Sequence, residues 1–103
     1  MAVRRESIPT KIKIRPMIRS DVSRVSLLET EIFPDPWPEQ AFLEELDRDD
    51  RGVILAEIDG RLAGYAAYII GYGEGHLTNI AVHHEYRGKS VAKKLLNLSL
   101  IHI

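Results

Sequence analysis

The chain has 103 residues, 14 Lys and Arg against 15 Asp and Glu for a net charge of −1, 45% hydrophobic residues and no cysteine. This length fits one small domain, and the balance of apolar and charged residues excludes a disordered, collagen-like or coiled-coil chain. The near-zero net charge removes the case for a protein that binds nucleic acid through clustered Lys and Arg. The lack of cysteine excludes disulfides, zinc–thiolate sites and thiol nucleophiles.

The first ten residues, 1–10, show no periodicity and predict a flexible leader. They contain no apolar run of the kind found in signal peptides, and no later segment approaches the ~18 apolar residues of a membrane span. We therefore expect an unexported, cytoplasmic protein.

The first half of the chain predicts one strand and two helices. Residues 11–15 alternate charged residues with isoleucine, which is typical of a half-buried strand. Ser20-Asp21 offers an N-cap for a helix over about 21–32. Three prolines at alternate positions make 33–38 a rigid loop, and the last of them can open a second helix over 38–46.

The second half predicts a β-hairpin, a further strand and a helix. Asp59-Gly60 is a strong two-residue hairpin signal between a strand over 52–58 and a returning strand over 62–72. Alternating glycines then predict a second turn before a strand over 76–82, and a third helix begins at Lys89. The predicted order is β-α-α-β-β-β-α. Two helical faces are expected to be buried, with apolar residues Val22, Val25, Leu28 and Ile32 on the first helix, and Val91, Ala92, Leu95 and Leu96 on the third.

The last predicted helix ends without a C-cap or a following element. Residues 98–103 resemble the in-frame translation of a transposon-end adapter used in sequencing libraries. On this interpretation they form a non-native tail, and residues 11–97 are a partial domain; a genuine helix end is the alternative. Resequencing the source locus across codon 97 without such adapters would distinguish the two.

The segment 78–96 combines a strand, a short turn and the start of a helix. Small residues stand where the turn enters the helix, so an anion can approach the backbone there. Unpaired N–H groups and the positive end of the helix dipole face outward at such a point. The small residues are Gly88, Ser90 and Ala92, and nearby positive charge comes from Arg87, Lys89 and Lys93. The pattern predicts a site for a phosphate or pyrophosphate group.

This segment resembles the acetyl-CoA motif of the GNAT superfamily of N-acetyltransferases, Arg/Gln-x-x-Gly-x-Gly/Ala, with Arg87, Ser90 and Ala92 at the three marked positions. The strand 79–82, the turn Tyr86-Arg87-Gly88, and the earlier proline loop with Trp37 and Phe42 are similar to the RimI-type branch. Members of that branch acetylate protein N-terminal amines, typically an alanine of a ribosomal protein. The resemblance covers about residues 12–97. It implies an α/β fold with a mixed, mainly antiparallel sheet, incomplete at the C-terminus.

The resemblance also implies which residues hold acetyl-CoA. The strand backbone at Ile80, Ala81 and Val82 is expected to pair with the pantetheine arm. The segment that wraps the pyrophosphate comprises Arg87, Gly88, Lys89, Ser90, Val91, Ala92 and Lys93. Ser90 departs from the family's glycine. If its φ is positive, its Cβ costs on the order of 1 kcal/mol, unless its hydroxyl offsets that by donating to a phosphate oxygen.

The implied reaction is attack of a neutral amine on the thioester of acetyl-CoA. A free α-amino group with a pKa near 7.7–8.0 is roughly 10–15% neutral at pH 7. A lysine side chain, with a pKa near 10.4, has a neutral fraction below ~0.1%. N-terminal amines therefore need less help from the enzyme. In the family, a glutamate base and a tyrosine acid follow the part that corresponds to this chain. We therefore assign no catalytic residue, and we expect the 103 residues alone to be inactive.

Other interpretations of single residues are weaker. A P-loop would need glycine at position 83, where His83 stands. His76, His83 and His84 are expected to be surface or loop residues, because the adjacent side chains at 83 and 84 should diverge and no metal-ligand spacing is present. Trp37 is expected either to contact the acceptor peptide or to cover the small core. The tyrosines of the hairpin strand are expected to pack against it: Tyr65, Tyr68 and Tyr72.

Two other function classes stay open. A small-molecule amine acetyltransferase would share the cofactor residues and differ on the acceptor side, so a panel of peptides and small amines would separate the two. A non-catalytic CoA-binding or interaction module would bind the cofactor without turnover.

Overall fold

The computed structural model describes residues 11–71, 73–88 and 90–102, and of residues 98–102 the backbone alone. Within these residues the elements follow the predicted order. The strands are β1 (Ile12–Pro16), β2 (Arg51–Ile58), β3 (Arg61–Gly71) and β4 (Glu74–Val82). The helices are α1 (Val22–Ile32), α2 (Glu39–Glu45) and α3 (Val91–His102). The predicted leader lies outside the described residues, and so do the side chains of the predicted non-native tail.

The described strands form one sheet in the order β1-β2-β3-β4, and each pairing is antiparallel. The parallel part that the resemblance implies does not occur within these residues. The predicted hairpin is confirmed: Asp59 (φ 53°) and Gly60 (φ 80°) both have the left-handed backbone that matches the twist of two antiparallel strands. Between β3 and β4 the register shifts, since Ala67 pairs with Asn79 but Tyr68 pairs with Leu77. Thr78 is therefore the extra residue of a β-bulge.

The start of α1 differs from the sequence prediction. Residues 19–21 form a 3₁₀ turn, α1 begins at Val22, and the Asp21 side chain makes no capping bond to the helix. Its carboxylate instead accepts the Ile18 N–H (2.8 Å) and both terminal nitrogens of Arg15 (2.7 Å each). A charged partner outcompetes the helix N–H groups because charge-assisted bonds are roughly twice as strong as neutral ones.

Two arginines and two acids join β1, β2 and α1. Arg15 Nε donates to Glu57 at 2.9 Å, and Arg24 donates to both Asp21 and Glu57. The hydrogen bonds from the Arg15 guanidinium hold the pKa of Asp21 well below its ordinary range and also lower the pKa of Glu57. This cluster holds β1, β2 and α1 together at the β1 end of the sheet, which is the end far from β4.

The two central strands, β2 and β3, are buried on both faces of the sheet, which explains the continuous apolar run of β2. One face packs against α1 and α2, where the buried side chains include Val25, Phe42 and Tyr65. The other packs against α3, where Val91 and Leu95 meet Ile54.

The predicted apolar face of α1 is confirmed at three of its four positions, with Ile32 half-buried at the end of the helix. On α3 the prediction was too wide: Val91 and Leu95 are buried, but Ala92 is exposed and Leu96 is 41% exposed. A single helix lying on a sheet buries a narrow stripe, so the adjacent positions face outward. In the described part of the chain, no helix has the length and apolarity needed to cross a membrane.

Candidate functional site

The junction of β4 and α3 is a compact turn. After β4 ends at Val82, residues 84–86 form a 3₁₀ turn, in which the Tyr86 N–H donates to the His83 carbonyl at 2.8 Å. Gly88 (φ 82°) and Ser90 (φ 65°) then take left-handed backbone conformations and bring the chain onto α3. The positive φ that would strain a serine is therefore present at Ser90.

A cavity of about 300 Å³ lies at this junction. Its lining residues are Val82, Tyr86, Arg87, Gly88, Ser90, Val91, Ala92 and Lys93. Seven of these eight are among the predicted cofactor residues, and Tyr86 is the addition. Lys89 lies outside the described residues. Ile80 and Ala81 lie farther back on β4 and do not line the cavity.

The walls of the cavity suit an anion. Arg87 Nε donates to the Val82 carbonyl at 3.2 Å, which fixes the guanidinium beside the end of β4. The Lys94 N–H donates to the Ser90 carbonyl at 3.0 Å, a bond that belongs to the start of α3. The N–H groups before it belong to the first turn, where an α-helix offers them no acceptor and its dipole favours negative charge. Lys93 adds a second cation.

The strand that ends at this cavity is also the last strand of the described sheet. One edge of β4 pairs with β3, from Gly71↔Glu74 to Gly64↔Val82. In residues 11–71, 73–88 and 90–102, no strand pairs with its other edge. The Ala81 side chain is buried on the α1 side, so an extended group beside this strand would meet its backbone. Such an edge is able to accept an added extended chain.

The proline loop, residues 33–38, covers the face of the sheet that packs against α1 and α2, opposite to the face that α3 covers. Trp37 is half-buried, with its ring centroid 5.3 Å from that of Phe42, and it packs on the core formed by α1 and α2. Its backbone N–H donates to Glu29 Oε2 at 3.1 Å. The structure thus shows the core-covering role of Trp37, while a role in acceptor binding stays a prediction.

Sequence reasoning missed a buried polar cluster next to this loop. Glu29 is only 2% exposed, and its Oε1 accepts bonds from the Tyr65 hydroxyl and from Asn79 Nδ2, the latter at 3.3 Å. Tyr65 was expected only to pack. It is fully buried against the edge of Phe42, but it also donates to this carboxylate. Tyr68 packs partly buried on the α3 side, and Tyr72 lies outside the described residues.

One expectation about the histidines was wrong. The rings of His83 and His84 do not diverge but stack, with centroids 4.5 Å apart and planes at 23°. The 3₁₀ turn brings the neighbouring side chains together, which the side-chain alternation of an extended strand would not do. His83 Nε2 also lies 3.6 Å from Glu31 Oε1 on α1. His76 and His84 are exposed, as expected.

Two curated proteins are similar to this chain in sequence. A Bacillus subtilis protein, named provisionally as a ribosomal protein bS18-alanine N-acetyltransferase, is 36% identical over 87 residues, which is 84% of this chain and 58% of that protein. The N-alpha-acetyltransferase RimI of Mycobacterium tuberculosis is 33% identical over 92 residues, with 82% and 58% covered. The chain therefore spans a little more than half the length of these curated relatives.

Solved structures share the fold. The crystal structure of the ribosomal-protein-S18-alanine N-acetyltransferase from Escherichia coli superimposes with a TM-score of 0.79 at 21% identity, over 89% of this chain and 59% of that one. AAC(6')-Iy, solved in complex with the bisubstrate analogue CoA-S-monomethyl-acetylneamine, gives a TM-score of 0.75 at 24% identity, over 86% of this chain and 69% of that one. The model of the acetyltransferase (GNAT) family matches residues 22–102, so the chain belongs to that family.

Proposed function

We propose that the protein transfers the acetyl group of acetyl-CoA to the N-terminal amine of another protein, of the ribosomal-protein alanine type. The observation that carries the proposal is the cavity between Val82 and Lys93, which combines a helix start, an arginine and a lysine at the end of an open strand edge. The names of the curated relatives support the acceptor class.

The residues present suit the cofactor. Acetyl-CoA supplies an acetyl group activated as a thioester. The first turn of α3 and Arg87 are suited to the negative pyrophosphate. A Cβ added at Gly88 would have no heavy atom within 4 Å, so the turn leaves space beside the backbone. The open edge of β4 at Ile80, Ala81 and Val82 offers backbone groups to the extended pantetheine arm, and Lys89 completes the proposed set.

The acceptor is proposed to approach the loop that carries Trp37. An α-amino group near pKa 7.7–8.0 is partly neutral at pH 7, so the main demand on the protein is to place it. We assign the general base and acid to residues outside this chain, and we propose that the 103 residues alone do not turn over. Relatives named for ribosomal proteins support a cytoplasmic location.

The first test is calorimetric titration of the chain with acetyl-CoA. Arg87→Ala should weaken binding about tenfold, because a charge-assisted contact to phosphate is lost. Lys13→Ala is the matched control, since Lys13 is exposed on β1 at the far edge of the sheet. Equal affinities for wild type and Arg87→Ala would contradict the cofactor assignment.

The second test is acetyl transfer by the full-length form that the source gene encodes. The substrates are an alanine-starting peptide, the same peptide with its N-terminus blocked, and an aminoglycoside. We expect only the free peptide to be acetylated. Transfer to the aminoglycoside alone would place the protein among small-molecule acetyltransferases, and binding of acetyl-CoA without any transfer would indicate a non-catalytic module.

A further inference from the structure

Glu29 is a buried carboxylate that the proposed reaction does not use. It lies on α1, and only 2% of its surface is exposed. The other buried acid of the described residues, Asp21, is paired with two arginines. In the described part of the chain, the hydrogen-bond donors to Glu29 are all neutral: the Trp37 N–H, the Tyr65 hydroxyl and the Asn79 amide.

The three donors come from three separate segments. Oε2 accepts the backbone N–H of Trp37 at 3.1 Å, so it holds the proline loop. Oε1 accepts from Tyr65 on β3 and from Asn79 Nδ2 on β4, the latter at 3.3 Å. Asn79 Nδ2 also lies 3.4 Å from the Tyr65 hydroxyl, which closes the cluster. One carboxylate therefore fixes the position of a loop relative to two strands.

Packing alone does not account for an acid at this place. A carboxylate loses its hydration on burial and requires several donors to offset that loss, whereas an apolar side chain of similar volume would fill the space without this cost. What an apolar side chain would not do is orient the Trp37 backbone and the Asn79 amide at the same time. Asn79 lies three residues before Val82, where the strand reaches the cavity.

We propose that Glu29 is a positioning residue for the acceptor: its carboxylate holds the Trp37 segment at a fixed distance from strand β4 and so sets the affinity for the incoming peptide N-terminus. The proposal rests on the proposed function, because it takes the Trp37 loop as the acceptor side and β4 as the cofactor side. Glu29 acts here through Trp37 and Asn79 and need not touch either substrate.

The kinetic test compares Glu29→Gln with Glu31→Gln in the full-length form. Glu31 lies on the same helix with half of its side chain exposed, so it controls for the loss of one charge on α1. Glu29→Gln should raise the KM for an alanine-starting peptide about tenfold and leave the KM for acetyl-CoA within about twofold, since charge-assisted bonds to the loop are replaced by weaker ones. An equal rise in both KM values, or an unchanged peptide KM, would overturn the proposal.

A second readout does not depend on turnover. Trp37 is the only tryptophan among the 103 residues, so its fluorescence reports on this loop. Glu29→Gln should increase acrylamide quenching of Trp37 while Glu31→Gln should not; equal quenching in the two variants would refute positioning of the loop. A wild-type protein that acetylates no peptide, yet shows the quenching difference, would instead refute the proposed function.

Asn79→Ala covers the case in which Glu29→Gln does not fold. Asn79 is half-buried on the edge strand, so its truncation leaves the core intact while it removes one donor from Oε1. A rise of about threefold in the peptide KM is expected, with the KM for acetyl-CoA unchanged. An unchanged peptide KM in this variant would also overturn the proposal.

Discussion

Ser90 combines a left-handed backbone (φ 65°) with a Cβ that this conformation disfavours. Ser90→Gly should raise the free energy of unfolding by about 0.5–1 kcal/mol, because relief of the strain exceeds the entropy that glycine adds to the unfolded chain. Urea denaturation measures this change.

Gly88→Ala is the matched control, with an effect of the opposite sign. Gly88 has a φ of 82°, and nothing lies within 4 Å of the added Cβ, so backbone strain alone should lower the free energy of unfolding by about 1 kcal/mol. Loss of stability in Ser90→Gly would contradict the strain argument, and weaker binding of acetyl-CoA by a stabilised variant would show that the hydroxyl holds the phosphate.

Glu29 shows where residue-level prediction from sequence stops. Its position was visible, since residues 22, 25, 29 and 32 follow the spacing of one helical face on which the other three are apolar. An acid on such a face indicates either a helix with a solvated edge or a buried site with donors. The donors come from positions 37, 65 and 79, and only the folded chain brings this loop and these two strands together around Glu29.

At the scale of elements, close contact between β3, β4 and α3 depends on Gly64. A Cβ at this position would stand 2.6 Å from the Ala81 carbonyl oxygen and 3.3 Å from Leu95 Cδ1. Gly64→Ala should therefore push β4 and α3 away from β3, with a loss of about 1–3 kcal/mol in unfolding free energy and weaker acetyl-CoA binding at the β4–α3 junction. Gly71→Ala on the same strand is the control, since nothing lies within 4 Å of its added Cβ. Thermal melts and calorimetry compare the two, and equal melting temperatures would show that the strands tolerate the extra methyl.

Elements that depend on local chemistry could be predicted from the sequence. Helix caps and contacts between side chains could not, because they depend on residues and turns elsewhere in the fold. The β2–β3 hairpin follows from Asp59-Gly60 alone, because both residues tolerate the positive φ that the turn requires. Ser20-Asp21 was expected to cap α1, but the Asp21 side chain makes no capping bond because Arg15, six residues earlier, binds that carboxylate. The stacked His83 and His84 were missed because the 3₁₀ turn over His84–Tyr86, which begins directly after His83, has no clear mark in the sequence. Seven of the eight residues that line the β4–α3 cavity were on the predicted list because they are nearly contiguous in sequence, so one local motif names them; their role in cofactor binding stays a prediction.

At the scale of the whole molecule, the central strands of the described sheet are covered on both faces, whereas β4 has exposed residues at alternate positions and an edge that no other described strand pairs with. Exposed strand edges pair with other chains, and charged residues on the edge suppress this. Ile80 lies on this strand and is 38% exposed, so it adds an apolar contact to the open edge. The isolated 103-residue chain should therefore self-associate through β4 as its concentration rises.

The self-association has a specific test. Ile80→Lys should shift the chain toward monomer in analytical ultracentrifugation, because a charge on the edge opposes strand addition. Leu27→Lys is the control, since Leu27 is more exposed at 62% but lies on α1, away from any strand edge. If apolar exposure alone drove association, Leu27→Lys would have the larger effect. A wild-type chain that stays monomeric and melts cooperatively over the same concentrations would contradict the proposed role of β4, and its open edge would then be too weak a template to recruit a second chain.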